Sequence, residues 1–104
     1  MSKAYLVGLI KFKNQKSFVE DFASKIPEFI KEKGGKILAR RPESSFCEGR
    51  KFDLHVVVEF ENFDDATTML QSKEWQDLSR HRTSNSDTEF GSFMLIEGGD
   101  ALTR

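Results

Sequence analysis

The chain has 104 residues, 38% hydrophobic and 32% charged, and its 16 basic and 17 acidic side chains leave a net charge of −1. That length suits one domain, and the composition is too apolar for a disordered chain and too polar for a membrane protein. Near-neutrality removes the field that would gather nucleic acid or anionic lipid, and one cysteine and two histidines argue against a disulfide or a His/Cys metal site.

Lys11 and Lys13 interrupt the first apolar run, so no signal peptide is expected. No stretch approaches the ~20 apolar residues of a membrane span. With the lone Cys47, these features predict a cytoplasmic location.

Residues 3–12 read as a strand with apolar residues on both faces: Leu6, Ile10 and Phe12 on one, Tyr5, Val7 and Leu9 on the other. A helix follows, capped by Asn14 or by the Ser17–Glu20 box, with Phe18, Phe22, Ile26, Phe29 and Ile30 along one stripe. Pro27 lacks an amide hydrogen and would clash with the Ala23 carbonyl, so a kink or break is expected there. Gly34-Gly35 ends the helix.

Residues 36–41 form a second strand, and 42–51 a loop with a strand-like piece at Phe46-Cys47-Glu48. A third strand covers 53–61. Leu54, Val56, Val58 and Phe60 lie on one face of it; His55, Val57, Glu59 and Glu61 lie on the other. A helix begins near Asn62, with Asp64 and Asp65 at its positive end, and a further helical segment from Ser72 to Arg82 carries Trp75 and Leu78. Residues 89–97 are the last strand. The domain is expected over 1–98, with 99–104 as a tail.

The order strand, helix, strand, strand, helix, strand is the α+β, ferredoxin-like βαββαβ plan. Right-handed crossovers put both helices on one face of a four-stranded antiparallel sheet, with the first and third strands in the middle. The other face is then bare, yet apolar. A bare apolar surface of several hundred Å² is unusual in a soluble monomer, and burying it is worth roughly 25 cal/mol per Å² before association costs. A homodimer packed sheet to sheet, a dimeric α+β barrel, is therefore expected.

Several short pieces recur in a characteristic order. They are Ala4-Tyr5, Pro27 followed by Gly34-Gly35, Leu38-Ala39-Arg40, Glu48-Gly49 and Val57-Val58-Glu59-Phe60. Then come Ala66, Ser72-x-Glu74-Trp75-Gln76, Arg82 and Leu95-Ile96-Glu97-Gly98. Together they resemble the domain-of-unknown-function 1330 family of the dimeric α+β barrel superfamily. The chain departs from that pattern at Arg41-Pro42, where two glycines are usual, and at Trp75, where a tyrosine is usual. The resemblance implies a small dimeric barrel without an agreed activity, among relatives that include cofactor-independent monooxygenases, haem-degrading enzymes and isomerases.

Arg40 and Arg82 match arginines of that pattern, and each offers a planar fork for a carboxylate or phenolate. The plainer reading pairs Arg40 with Glu48 or Glu59, and Arg82 with Glu74 or Asp87. Trp75 is a pocket wall or a core residue. His55 shares a strand face with Glu59, so the two are a base with its carboxylate or simply interface residues. Tyr5 is a hydrogen-bond donor to a ligand or a rim residue. With no P-loop, Rossmann glycines, HExxH or GxSxG, no metal or cofactor is expected.

Two functions follow. One is a site for a small anionic or aromatic organic molecule between sheet and helices. There Arg40, Arg82, Trp75 and Glu59 bind, and His55 or Tyr5 serves any proton transfer. The alternative is a non-catalytic dimeric structural or protein-interaction module.

Overall fold

The computed structural model describes residues 2–103. Its elements are β1 (Ala4–Ile10), α1 (Gln15–Asp21), a 3-10 turn (Ala23–Lys25), α2 (Ile26–Glu32), β2 (Gly35–Arg41), β3 (Leu54–Phe60), α3 (Phe63–Gln71), α4 (Lys73–Ser84) and β4 (Ser92–Glu97). The four strands form one antiparallel sheet in the order β2-β3-β1-β4. This is the expected ferredoxin-like arrangement, with the two most apolar strands central.

The caps fix where each helix starts. The Asn14 side chain accepts the Ser17 amide at 3.1 Å, so Asn14 rather than Ser17 starts α1. Asn62 accepts from the Asp65 amide at 2.8 Å, and Asp64 and Asp65 occupy the positive end of α3. Ser72 serves two helices at once. Its extended backbone ends α3, its hydroxyl donates to the Met69 carbonyl at 2.7 Å, and the same oxygen accepts the Trp75 amide at 3.1 Å to start α4.

Of the kink and the break expected at Pro27, the structure has the break. The chain breaks ahead of it, through the 3-10 turn, and Pro27 sits in the first turn of α2. There its missing amide hydrogen costs nothing. The β-like piece at 46–48 is absent; those residues belong to the loop between β2 and β3. The last strand also begins later than expected. Asp87 Oδ1 accepts from the Glu89 and Phe90 amides, at 3.1 and 3.0 Å, which turns the chain before Ser92.

Ala4, Leu6 and Ile10 of β1 and Val58 and Phe60 of β3 face the helices, where they bury against Phe18, Ile26, Ile30, Ala66, Met69 and Trp75. Gly35 belongs to this packing. A Cβ there would lie 2.8 Å from Ile30 Cγ2 and 2.9 Å from the Phe60 ring, both fully buried. Gly35→Ala is expected to cost about 1–3 kcal/mol by overpacking. Urea denaturation, read as a fall in midpoint at constant slope, checks it.

The opposite sheet face has no helix on it. Its cross-strand rows are Lys36–Glu59–Tyr5–Ile96, Ala39–Val57–Val7–Met94 and Arg41–His55–Leu9–Ser92. The middle row is wholly apolar, and Met94 and Ile96 are 40% and 49% exposed. Tyr5, Val7 and Leu9 are half-buried.

Candidate functional site

Between the sheet and the helices lies an apolar cleft. Its floor is one cross-strand row on the helix side: Arg40 on β2, Val56 on β3, Gly8 on β1 and Phe93 on β4. Phe18, Phe22 and Ile30 form its roof, with Trp75 from α4. The row crosses the sheet from edge to edge, roughly 14 Å for three strand spacings.

Gly8 makes the space. It has no side chain at the centre of a row whose other members are large, and it lies on a central strand. The centre of a water-sized sphere can move through about 40 Å³ of the cleft. That is room for about three waters, and a ligand as wide as a ring enters only when the side chains of the roof move apart.

Arg40 reaches the cleft because of a β-bulge. The register slips between Ile37 and Ala39, leaving Leu38 as the extra residue. Ile37 pairs with Val58 and Arg40 with Val56, so both face the helices. In an unbroken strand a three-residue separation would have put Arg40 on the open face instead. Its Nη1 donates to the Ala23 carbonyl at 2.8 Å. That carbonyl also accepts the Ile26 amide within the 3-10 turn, and Pro27, the residue four positions on, has no amide hydrogen to offer it. The expected partners Glu48 and Glu59 are not used.

Arg82 comes from the α4 stripe that also carries Trp75 and Ser79. Its Nε and Nη2 donate to Ser79 Oγ at 3.2 and 3.1 Å, and its guanidinium carbon lies 4.1 Å from the centroid of the Phe93 ring. Glu74, an expected partner, instead takes Lys33 Nζ at 2.9 Å, and Asp87 Oδ1 is occupied in its own turn. Burial lowers the pKa of Arg82 from its ordinary value. Among the described residues no carboxylate comes within 4.0 Å of Arg40 or Arg82. Two guanidinium groups thus border an otherwise apolar cleft without a counter-ion.

Trp75 is buried, and its ring meets Phe22, Phe29 and Phe93 at centroid distances of 5.9, 6.1 and 5.7 Å. It is nearly parallel to Phe93, at 14°. Trp75 is therefore both core and wall.

Tyr5, His55 and Glu59 lie on the other side of the sheet, away from Arg40, Arg82 and Trp75. Strand alternation separates them from the cleft. Nor do His55 and Glu59 pair: four residues along a strand is roughly 14 Å. Glu59 accepts from Tyr5 OH at 3.3 Å and lies 3.5 Å from Lys3 Nζ. Together Glu59 and Glu61 raise the pKa of Lys3. His55 Nδ1 lies 3.0 Å from the Arg41 carbonyl. A carbonyl only accepts, so Nδ1 carries the proton of the bond. Among the described residues no three His, Cys, Asp or Glu side chains gather as a metal site, and no helix is long and apolar enough to cross a membrane.

Gly8 and Phe93 are cleft residues that the sequence reading did not single out. A glycine in the middle of the most apolar strand was the available signal.

Such a sheet, with helices on one face, is a ferredoxin-like α+β domain, and solved structures share it. One is a protein of unknown function from Rhodopseudomonas palustris, at TM-score 0.74 and 10% identity over 95% of this chain and 84% of that one. A dimeric protein of unknown function and ferredoxin-like fold from Bacteroides fragilis matches at TM-score 0.54 and 15% identity, covering 92% of this chain and 96% of that one. SnoaB, a cofactor-independent oxygenase from Streptomyces nogalater, matches at TM-score 0.65 and 13% identity over 100% of both chains. No curated protein matches the chain. The model of the domain of unknown function DUF1330 matches residues 3–98, and the chain belongs to that family.

Proposed function

We propose that this protein is a homodimer whose protomers each bind a small organic anion in the cleft over Gly8. One observation carries the binding reading: Arg40 and Arg82 border an apolar cavity with no carboxylate to neutralise them. Buried or half-buried cations ordinarily have partners, and here an anionic ligand would supply them. Arg40 spends one donor on a neutral carbonyl, and a charge-assisted bond to a carboxylate is stronger. Trp75 and Phe93 supply the apolar wall for the body of the ligand.

The lining offers no carboxylate, imidazole, thiol or hydroxyl to act as base or nucleophile. The same arginines suit stabilisation of an oxyanion that develops on the ligand itself. This supports binding, or chemistry carried by the ligand, over proton transfer by Tyr5 or His55. The likeness to SnoaB, an oxygenase without a cofactor, is compatible with either.

The dimer reading rests on the open face. Its apolar middle row needs cover, and a fold relative from Bacteroides fragilis is described as dimeric. Tyr5, His55 and Glu59 then belong to the interface between copies.

A melting screen with small carboxylates and phenolates tests the site. A fitting anion raises the melting temperature by an amount that grows with the logarithm of its concentration above the Kd. Arg40→Ala and Arg82→Ala are each expected to remove most of that rise, measured against each variant's own unliganded melt. An unchanged rise in both variants would refute the assignment.

A further inference from the structure

The two arginines stand at opposite ends of the same floor row. Arg40 is the row's first residue, on edge strand β2. Phe93 is its last, on edge strand β4, and Arg82 lies over the Phe93 ring. Between them the floor is Val56 and Gly8, with Leu6 and Ile10 beside Gly8 along β1. Beyond Arg82 and Phe93 the cleft adjoins a more polar groove lined by Thr83, Ser86, Ser92 and Asp87, whose Oδ1 is taken by the Glu89 and Phe90 amides. Both charged ends lie towards the rims, and the dry stretch lies in the middle.

A ligand with one carboxylate satisfies one end of such a cleft and leaves the other cation unpaired. A ligand with an acidic group at each end and a flat apolar body satisfies both. Its charges stay at the rims, where desolvation costs least, and its body covers the bare backbone at Gly8. We infer that the cleft takes a slim dicarboxylate, held end to end by Arg40 and Arg82. This inference rests on the anion reading above and narrows its ligand class.

The narrow space points the same way. A slim body needs the smallest opening of the roof, and a branched or two-ring body needs a larger one. Gly8 is the specificity-determining position for that thickness, since any side chain there would project into the cleft beside Phe93.

The test is calorimetric titration of the full chain with terephthalate and with benzoate, then with hexanedioate and with hexanoate. Each diacid is expected to bind at least about tenfold tighter than its monoacid, the equivalent of one added charged hydrogen bond. Arg40→Gln and Arg82→Gln keep an amide donor for the Ala23 carbonyl and for Ser79 while removing the charge. Each is expected to bring the diacid down to the monoacid's affinity. Monoacids that bind as tightly as diacids would overturn the two-ended inference and leave the anion site standing. So would a diacid weakened by one arginine variant only. No binding by any of the four probes, in a protein whose unliganded melt is normal, would overturn both readings.

Discussion

If the proposed dimer forms, a Val7→Asp variant is expected to run as an 11.9 kDa species in light scattering at micromolar concentration and the unaltered protein at twice that mass. Val7 lies in the middle row of the open face, between Val57 and Met94, and it points away from the core. Two-fold pairing of these faces would bring in one carboxylate from each copy, with no cation in that row to meet it. Burying an unpaired charge costs several kcal/mol per ion, which weakens association by more than about a thousandfold. The separated protomer keeps its fold, because position 7 contributes nothing to the packing under the helices, and circular dichroism checks that. A folded Val7→Asp protein that stays at twice the chain mass would place the interface elsewhere.

Leucine in place of Gly8 is expected to abolish ligand binding without unfolding the chain. The backbone at Gly8 is ordinary, since the positive-φ glycines are 34, 49 and 99. A Cβ there would make normal contact with Phe93 Cδ1, at 3.4 Å. The remaining carbons of leucine then have only the cleft to occupy. Binding is expected to fall by at least about a hundredfold, while stability shifts by no more than about 1–3 kcal/mol. Gly8→Ala, which adds only the Cβ, is expected to fall between the two. Thermal stabilisation by a cleft anion is the measurement, and full stabilisation of Gly8→Leu would show that the ligand sits somewhere else.

Much of the fold was readable because it rests on period. β1 and β3 carry apolar residues on both alternations where central strands must, and the α1–α2 stripe recurs at helical spacing. The misread places are those where a side chain overrides the period. Phe90 looks like strand, but the Asp87 carboxylate captures the amides at 89 and 90. Gly91 follows because a Cβ there would lie 2.5 Å from the Leu9 carbonyl oxygen. Pro27 marked an interruption and left kink and break open; the structure has the break, with Pro27 in the first turn of the second helix.

The candidate site was less legible. Arg40, Arg82 and Trp75 converge, but the parity of Arg40 depends on the bulge at Leu38, which no alternation pattern reveals. Without that bulge Arg40 would have joined Tyr5, His55 and Glu59 on the open face. The cleft itself is a void left by packing, and a void has no letters. Gly8 was its one trace in the sequence.

The hydrogen bond from Arg40 to Ala23 joins residues seventeen positions apart. The Ala23 oxygen takes the Ile26 amide from its own turn and a guanidinium from a distant strand, and the imino acid at 27 brings no third donor. The break between the two helical segments and the anchoring of the β2 arginine therefore meet at one oxygen. A substitution at 27 that supplied an amide hydrogen would set a competitor against Arg40 for that oxygen, and so act on the cleft from a position outside its lining.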